Sequence, residues 1–299
     1  MSWLNKDVIT ARSFTRTSIE EVLKKAREYD KTSKEKKTHT RLDGKILATL
    51  FYEPSTRTRL SFETAMLRLG GGIIGFADPQ TSSFAKGETV HDTIKLVENC
   101  ADAIVMRNKI EGAAGAAAEA SSVPVINAGD GANQHPTQAL VDLYTIEKEK
   151  KKLDGLTILF VGDLKYGRTV HSLTQALTHY DVTIQLYAPQ ALRLSPQAIN
   201  ELRTNVKVKE LSALDATEAD VVYATRMQKE RFPDEDEFKR VSYKITSETI
   251  KQMKTDSILM HPLPRVDEIT TDVDTLPNAK YFTQEANGVP VRMALLDLI

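Results

Sequence analysis

The stretch KILATLFYEPSTRTRLSFETAMLRLGG, residues 45–71, predicts a strand, a tight turn and a helix in succession. Residues 45–52 are an apolar run that is too short for a core helix and is followed by Pro54, which indicates a strand buried on both faces. Apolar residues then recur at helical spacing as far as the glycines at 70–72, which stop the helix. The first helical turn carries three hydroxyl and two guanidinium groups, from Ser55, Thr56, Arg57, Thr58 and Arg59.

This turn has the chemistry of an anion site. The N-terminus of a helix presents unpaired N–H groups and a partial positive charge, and hydroxyl groups and arginine side chains add further donors that suit a phosphate dianion. A lone Ser-Thr-Arg-Thr run would more often be an ordinary helix cap with its arginine in solvent. The residues that follow the other predicted strands therefore decide between the two interpretations.

Length and charge exclude several classes of protein. The chain has 299 residues, with 40 basic and 41 acidic side chains and a formal net charge of −1. That length allows about two domains, and the charge balance offers no basic excess for nucleic acid or a membrane surface. No apolar run approaches the roughly 18 residues of a membrane span, and the first residues do not resemble a signal peptide. We expect a cytoplasmic enzyme or binding protein.

The only cysteine, Cys100, lies in the run KLVENCADAIVM. A lone thiol cannot form an intrachain disulfide, and isolated cysteines usually behave as small hydrophobic residues in the interior. We therefore expect Cys100 to be buried.

Predicted strands and helices alternate along both halves of the chain. After the opening strand, further strands are expected near residues 71–78, 103–106, 124–126, 157–161, 182–187, 206–208, 220–224 and 257–260. Strands that alternate with helices form a parallel sheet. The sequence thus predicts an α/β protein of two domains, each a parallel β-sheet flanked by helices, with the active site in the cleft between them.

The helix predicted from HPTQALVDLYTI, residues 135–146, should join the two domains, with Pro136 in its first turn and His135 at its cap. We expect residues 1–149 and a C-terminal helix, 287–299, to form the first domain, and residues 150–286 to form the second. The terminal run ANGVPVRMALLDLI predicts an amphipathic helix.

Polar side chains cluster where predicted strands end. They are the run 55–59, Arg107, His135, Arg168, Arg226 and the run HPLPR at 261–265. Ligands bind outside the carboxyl ends of the strands in open parallel sheets, so these positions should converge on one cleft. Any one of these arginines alone would more often be a surface or ion-pair residue.

Seven motifs together resemble the aspartate/ornithine carbamoyltransferase family. They are FYEPSTRTR, SSFAKGE, MR at 106–107, HPTQ at 135–138, GDLKYGRTVHSL, TRMQKER at 225–231 and HPLPRVDEI at 261–269. The first and the HPTQ motif are shared across that family, including the ornithine enzymes, whereas TRMQKER and HPLPR resemble its aspartate branch. Ala85 stands where some relatives carry a second lysine, which leaves only Lys86 for that role.

The resemblance implies that the first domain binds carbamoyl phosphate and the second binds L-aspartate. Carbamoyl phosphate carries a dianion and a carbonyl that gains negative charge during attack, so its site needs many donors. The residues assigned to it are Ser55, Thr56, Arg57, Thr58, Arg107, His135, Gln138, Leu263 and Pro264, the last two through their backbone carbonyls. Of these, Arg57, Thr58, Arg107 and His135 are expected to be catalytic, with His135 donating a hydrogen bond rather than acting as a base. No metal or other cofactor is expected.

A dicarboxylic amino acid needs at least two fixed cations, and arginine binds carboxylates through two parallel hydrogen bonds. The residues expected to bind aspartate are Lys86, Arg168, Arg226 and Gln228. Ornithine would instead need acidic partners for its amine, and neither 225–231 nor 261–265 presents one, so charge favours aspartate. A carbamoyltransferase for ornithine or another amino acid stays as the alternative within the family.

The resemblance also implies an assembly. Related catalytic chains form homotrimers with shared active sites, to which Ser82 and Lys86 come from the neighbouring subunit, and some bind separate regulatory chains. His261 is expected to be structural, and the bond before Pro264 to be cis.

Two alternatives come from other classes of function. The loop Gly162–Thr169 follows a buried strand and matches a phosphate-binding loop except that Arg168 replaces the lysine, which makes a nucleotide-binding protein conceivable. A non-catalytic scaffold for other proteins would require the arginine cluster to be idle.

Overall fold

The computed structural model describes residues 3–4, 6–227 and 243–299. The chain divides into two compact units: the first unit is Met1–Tyr144 with Ala286–Ile299, and the second unit is Thr145–Glu285. Each unit is built on one parallel sheet, of four strands in the first and five in the second. The predicted α/β class with two domains, each a parallel sheet flanked by helices, is therefore confirmed.

The first unit opens with the longest described helix and then alternates strands and helices. Its elements are α1 (Arg16–Lys34), β1 (Ile46–Phe51), α2 (Thr56–Arg68), β2 (Gly72–Phe76), α3 (Val90–Val97), β3 (Ala103–Asn108), α4 (Ala113–Ala120), β4 (Val125–Asp130) and α5 (Pro136–Lys150). The strand order is β2-β1-β3-β4, so the opening strand lies inside the sheet. The division between the units falls within α5.

The second unit continues the alternation. Its elements are β5 (Leu156–Val161), α6 (Arg168–Leu177), β6 (Val182–Tyr187), α7 (Pro196–Arg203), β7 (Lys207–Glu210), β8 (Val221–Ala224), α8 (Ser247–Gln252), β9 (Ile258–Met260) and α9 (Tyr281–Ala286). The strand order is β7-β6-β5-β8-β9. The sequence did not predict α8 or α9, which have six residues each and thus too few turns for a recognisable helical pattern.

The strand predicted from the opening stretch is β1, and its burial explains why the sequence identifies it. Leu47, Ala48 and Phe51 are fully buried, as expected for a strand covered on both faces. Gly75 of β2 pairs with Thr49 at a φ of +136°, and a Cβ at Gly75 would lie 2.1 Å from the Thr49 carbonyl oxygen. Only glycine allows β2 to approach β1 so closely.

The last helix, α10 (Gly288–Leu298), belongs to the first unit and contacts α1 and α2. Its buried residues are Gly288, Pro290, Val291, Arg292, Met293, Ala294, Leu295 and Leu296. Nearly every face of the helix is covered, so the prediction of an amphipathic helix was wrong. A helix that packs against two others needs apolar or small residues on most sides.

The polar end of α10 is held by one buried carboxylate. Asp297 accepts hydrogen bonds from Tyr29 Oη at 2.8 Å and Arg41 Nε at 3.0 Å, and Lys25 Nζ lies 2.8 Å away. Burial raises the pKa of Asp297, but its three donors outweigh burial, and the pKa lies below its ordinary value. The carboxylate therefore ties α10 to the N-terminal part of the chain.

Cys100 is exposed, so the prediction that it is buried was wrong. The helix α3 ends at Val97 and buries Thr93 and Ile94, while Cys100 falls in the turn beyond the helix. Its Sγ lies 3.7 Å from the Leu96 carbonyl oxygen.

Within the described ranges, the helices are all too short or too polar to cross a membrane.

Candidate active site

The first predicted site is the start of α2, directly after β1. Ser55 is the N-cap residue with extended backbone angles, and its side chain makes no cap hydrogen bond. In the first turn, Arg57 is half-buried and Thr58 is buried. Arg59 points elsewhere: its Nη1 lies 3.3 Å from Glu63 Oε1 one turn further along the helix.

The hydroxyl and N–H groups of Thr56 and Thr58 are available for a ligand. The backbone N–H groups of Thr56 and Thr58 cannot bond within the helix, because no earlier helical carbonyl exists for them. No described residue accepts from these two N–H groups or bonds to the Thr56 and Thr58 hydroxyls. The Ser55 hydroxyl also makes no cap hydrogen bond, so hydroxyl and amide donors lie together at one helix N-terminus.

Arg107 joins this group through the sheet. It lies near the end of β3, opposite Phe51 of β1, and the Tyr52 N–H donates to the Arg107 carbonyl at 2.9 Å. Its guanidinium Nη2 donates to Glu53 Oε1 at 2.9 Å, with only 12% of the arginine side chain exposed. The pairing places a largely buried cation at the strand edge where α2 begins.

His135 and α5 follow the next strand of the same sheet, β4. His135 is buried, and its carbonyl accepts the first helical hydrogen bonds, from the N–H groups of Gln138 and Ala139. The imidazole Nδ1 lies 3.5 Å from Thr137 Oγ1. His135 thus occupies the helix start, as its position before Pro136 predicts.

One buried carboxylate shapes the loop before His135, and the sequence reasoning missed it. Asp130 is 1% exposed and accepts from Asn127 Nδ2, Asn133 Nδ2 and the N–H groups of Gly112 and Gln134, at 2.8–3.0 Å. Four donors around one carboxylate fix the backbone between β4 and α5. The signal was the run of small and turn-forming residues NAGDGANQ directly before HPTQ.

Gln138 projects from the first turn of α5 and is also held by a carboxylate. Its Nε2 donates to Oδ1 of the fully buried Asp142 at 2.8 Å. Because this contact engages the NH₂ end of the amide, the other end, Oε1, is left as an acceptor. No residue of the described chain donates to it.

Ser82 and Lys86 lie in the segment between β2 and α3, which folds into the short 3-10 turns Pro79–Thr81 and Ser83–Lys86. Lys86 is exposed. One aromatic side chain, Phe84, holds the segment by packing edge-on against Tyr52 at a ring distance of 5.3 Å.

In the second unit, Arg168 begins α6 after β5. The loop before it uses its own N–H groups: Asp163 N–H donates to Thr225 Oγ1 at 2.9 Å, and Tyr166 N–H donates to Asp163 Oδ1 at 2.9 Å. The N–H groups of the two residues between them both donate to the Leu192 carbonyl, at 3.0 and 2.9 Å. Four consecutive amides are therefore unavailable to a phosphate.

Arg226 follows β8 and is positioned by its neighbour Thr225. The Thr225 hydroxyl donates to the Val161 carbonyl at 3.1 Å, and Tyr243 Oη donates to the Thr225 carbonyl at 2.7 Å. Burial raises the pKa of Tyr243 well above its ordinary value, so this phenol stays neutral. Gln228 lies outside the described residues.

The motif after β9 contains the predicted cis bond, between Leu263 and Pro264. His261, 1% exposed, accepts from the Leu263 N–H at Nδ1 (2.9 Å), and its Nε2 lies 2.8 Å from Glu268 Oε1. Burial raises the pKa of Glu268, but hydrogen bonds from His261 and the Val266 N–H outweigh it and the pKa is lowered. His261 thus holds the backbone after β9, as its predicted structural role requires.

Arg265 is the last residue of the HPLPR run. Its Nη2 lies 2.6 Å from Asp274 Oδ2 and its Nη1 contacts Oδ1 of the same carboxylate, which also accepts from Tyr281 Oη. The hydrogen bonds with Asp274 raise the pKa of Arg265. Although it lies in the cationic HPLPR run, Arg265 is engaged in a structural ion pair.

Apart from Ser82 and Lys86, which follow β2, the predicted residues that the structure describes thus lie beyond adjacent strands of one sheet in each unit. In the first unit they follow the adjacent strands β1, β3 and β4, and in the second they follow the adjacent strands β5, β8 and β9. The carboxyl ends of adjacent parallel strands meet at one edge, where α/β proteins bind ligands.

Comparison with known proteins finds one family model in each half of the chain. Residues 6–148 match the model of the aspartate/ornithine carbamoyltransferase carbamoyl-P binding domain, and residues 154–299 match the Asp/Orn binding domain of the same family. The aspartate carbamoyltransferase catalytic subunit of Thermococcus kodakarensis is 54% identical over all of this chain and 98% of its own length.

Two solved structures are similar along their whole length. The catalytic subunit of aspartate transcarbamoylase from M. jannaschii has a TM-score of 0.90 and 52% identity, covering 98% of this chain and 97% of that one. The aspartate transcarbamoylase of Trypanosoma cruzi in complex with carbamoyl phosphate and aspartate has a TM-score of 0.93 and 37% identity, covering 99% of this chain and 97% of that one. The chain belongs to the aspartate/ornithine carbamoyltransferase family.

Proposed function

We propose that this protein is an aspartate carbamoyltransferase. It transfers the carbamoyl group of carbamoyl phosphate to the amine of L-aspartate and releases N-carbamoyl-L-aspartate and phosphate, an early step of pyrimidine biosynthesis. The observation that carries the proposal is that Ser55, Thr56 and Thr58 present donors without described partners at the start of α2, beside the largely buried Arg107. The ligands of the T. cruzi structure are the same two substrates.

The chemistry requires one anion to be held and another to be stabilised as it forms. Ser55, Thr56, Arg57, Thr58 and Arg107 bind the phosphate in this proposal. Thr58, Arg107 and His135 donate to the carbonyl oxygen, which gains negative charge as the amine attacks. The reaction needs no covalent enzyme intermediate, because the amine of the second substrate is itself the nucleophile.

The carbamoyl amide needs acceptors, since its NH₂ group only donates. Gln138 Oε1 can accept because Asp142 engages the other end of that side chain. The backbone carbonyls of Leu263 and Pro264 are the other proposed acceptors. The proton released by the attacking amine passes to the departing phosphate, whose pKa near neutrality suits it as a base.

Aspartate is the proposed second substrate, bound by Arg168, Arg226, Gln228 and Lys86. Arg168 and Arg226 both follow buried strands of the second unit, and two guanidinium groups suit two carboxylates. If ornithine were the substrate, its positively charged side-chain amine would lie near these cations, and like charges repel. The names of the relatives from Thermococcus kodakarensis and Archaeoglobus fulgidus, both 54% identical, also specify aspartate.

A nucleotide-binding function for the Gly162–Thr169 loop is not favoured. A phosphate-binding loop works by aiming consecutive backbone N–H groups at the ligand. Here those of residues 163–166 are engaged by Thr225, Leu192 and Asp163. The loop supplies Arg168 rather than a phosphate cradle.

Turnover and ligand binding test the proposal together. The purified protein should form N-carbamoyl-aspartate from carbamoyl phosphate and aspartate, and give no carbamoylated product with ornithine. Carbamoyl phosphate at 100 times its Kd should stabilise the fold by about 2.7 kcal/mol, whereas ATP should not raise the melting temperature. A shift with ATP alone, or turnover with ornithine, would contradict the assignment.

We further propose that the protein is a cytoplasmic homotrimer with shared active sites. Lys86 supports this arrangement, because it is an exposed cation on a short, locally folded segment that could reach a neighbouring chain. Ser82 begins the same segment, with its hydroxyl donating to the Pro79 carbonyl at 2.7 Å. The words "catalytic subunit" in the names of relatives suggest that separate regulatory chains bind as well, which the mass of the native complex would reveal.

Subunit mixing tests the shared site. Lys86→Ala and Arg57→Ala chains should each be inactive as homotrimers. In a mixed trimer, one interface combines an intact Arg57 site with an intact Lys86 from the neighbour, so about one site in three should recover activity. No recovery in mixed trimers confirmed by mass would place Lys86 in the same subunit as Arg57, or outside the site.

A further inference from the structure

The residues after β9 contain a histidine that the proposed reaction does not use. His261 is 1% exposed and lies two residues before Leu263, whose φ is +50°. Residues other than glycine rarely adopt such backbone angles, so the conformation of Leu263 must be maintained by its surroundings.

The hydrogen bonds of His261 define its protonation state. The Leu263 N–H donates to Nδ1 at 2.9 Å, so Nδ1 carries no proton. In the neutral ring the proton then lies on Nε2, which donates to Glu268 Oε1 at 2.8 Å. The His261 N–H donates to Gln284 Oε1 at 2.9 Å, which fixes the backbone on the other side.

Glu268 is in turn fixed by the segment that it helps to hold. It is 4% exposed, and its Oε2 accepts from the N–H groups of Val266 and Asp267 at 3.1 and 3.2 Å. His261 and Glu268 therefore form a closed set of hydrogen bonds around residues 263–267. All the side-chain atoms in this set are buried, where a lost bond cannot be replaced by water.

We propose that His261, held by Glu268, is a positioning residue that orients the Leu263 carbonyl to accept a hydrogen bond from the carbamoyl amide of the substrate. The peptide N–H of Leu263 is anchored to the imidazole, and this anchor sets the direction of the residue that bears the carbonyl. The inference rests on the proposed function, because it assumes that the carbamoyl NH₂ is the group recognised. His261 then contributes to the discrimination between carbamoyl phosphate and other phosphates.

Two isosteric substitutions separate the two hydrogen bonds of the ring. In His261→Asn the amide oxygen takes the position of Nδ1, so the Leu263 N–H keeps its acceptor while the bond to Glu268 is lost. In His261→Gln the amide nitrogen reaches Glu268, but nothing replaces Nδ1. If the inference is correct, His261→Gln is the more damaging change.

The readout is binding of two stable probes by calorimetry: phosphonoacetamide, which keeps the amide, and inorganic phosphate, which lacks it. His261→Gln should weaken phosphonoacetamide about 10-fold, as for one lost hydrogen bond, and change phosphate binding less than about 2-fold. His261→Asn should keep phosphonoacetamide within about 3-fold of the unmodified protein. Equal changes for both probes, or none, would overturn the inference.

Two controls keep the outcomes distinct. If the unmodified protein binds neither probe, the proposed function itself fails. If His261→Gln does not fold, Glu268→Gln replaces it, because the amide keeps the volume of the carboxylate and weakens the hold on the imidazole. The same selective loss of phosphonoacetamide is then expected, and a loss shared equally with phosphate would overturn the positioning role.

Discussion

The two units each begin a helix with an arginine-bearing turn directly beyond a buried strand, but the connections before the two helices differ. Between β1 and α2 the chain takes four residues, 52–55, and leaves the Ser55 hydroxyl and the N–H groups of Thr56 and Thr58 without described partners. Between β5 and α6 it takes six, 162–167, and four consecutive amides in that loop are engaged by the protein.

This difference determines which kind of anion each helix N-terminus is suited to bind. Open hydroxyl and amide donors surround an anion on several sides, which suits a phosphate dianion. A closed loop that presents mainly an arginine suits a carboxylate, which takes two parallel hydrogen bonds from one guanidinium group. The same strand-turn-helix unit can therefore serve two anions of different shape.

The range of the stabilising contacts also differs. In the first unit, the α2 site lies in one run of sequence, and its nearest ion pair, Arg59 with Glu63, spans four residues. In the second unit, Thr225 bonds to Val161, 64 residues away, and Tyr243 bonds to the same carbonyl from 82 residues away. The α2 turn itself is therefore local, although Arg107 reaches it through the sheet, whereas Thr225, the neighbour of Arg226, is held by residues distant in sequence.

The largest expected effect is at Arg57. In Arg57→Ala, the proposed charge-assisted hydrogen bond to the departing phosphate is lost, so kcat should fall about 10²-fold or more with the fold intact. Steady-state kinetics with both substrates at saturation measure this change, and far-UV circular dichroism checks the fold.

Arg59→Ala is the matched control from the same helical turn. Its guanidinium group pairs with Glu63, so kcat should stay within about 3-fold of the unmodified protein. Near-normal activity in Arg57→Ala, or an equal loss in both variants, would show that the α2 turn does not bind the phosphate as proposed.

Arg226→Ala should separate the substrates. Its proposed partner is a carboxylate of aspartate, so the KM for aspartate should rise about 10- to 100-fold while that for carbamoyl phosphate changes little. The control is Arg203→Ala, an exposed arginine of the same unit that pairs with Glu210 at 3.1 Å and should leave both constants unchanged. An equal rise for both substrates would contradict the assignment of the second unit to aspartate.

The same contrast explains how far the sequence could predict the structure. The start of α2 could be predicted because its chemistry and its secondary-structure signals occur in one run of about 25 residues. Alternation of strands and helices was enough to predict both parallel sheets. Local signals sufficed wherever the determining residues were neighbours in sequence.

The predictions that failed concern the burial of side chains, which depends on neighbours in the folded structure. Cys100 has the composition of a buried residue, but its exposure depends on where α3 ends, and α10 is buried all round because of helices distant in sequence. Asp130 was missed for a related reason. A lone aspartate at the end of a strand carries no sign of the donors that fold around it, one of which comes from Gly112.

Asp142→Asn tests whether the proposed role of Gln138 depends on the buried carboxylate that holds its side chain. The carboxylate accepts only, so it fixes Gln138 with its NH₂ inward, whereas an asparagine can bond to either end of that amide. The KM for carbamoyl phosphate should rise roughly 3- to 10-fold, with inhibition by inorganic phosphate unchanged. Weakened phosphate inhibition would show instead that Asp142 supports the fold of α5 as a whole.

The smallest expected effect is at Tyr243, and it measures the long-range contact of the second unit. Tyr243→Phe removes a hydroxyl that is hydrogen-bonded to the Thr225 carbonyl at 2.7 Å and accepts from the Thr225 N–H at 3.1 Å. Loss of these bonds should cost about 1–2 kcal/mol of unfolding free energy, measured by urea denaturation.

Because Thr225 directly precedes Arg226, loosening it should also raise the KM for aspartate by roughly 2- to 5-fold while the KM for carbamoyl phosphate stays constant. The raised pKa of Tyr243 keeps the phenol neutral, so the destabilisation should be the same at pH 6 and pH 9. A stability loss with no change in the KM for aspartate would show that Arg226 is positioned independently of Thr225. In that case, the second site would be as local as the first, and the contrast between the two units would lie only in their loops.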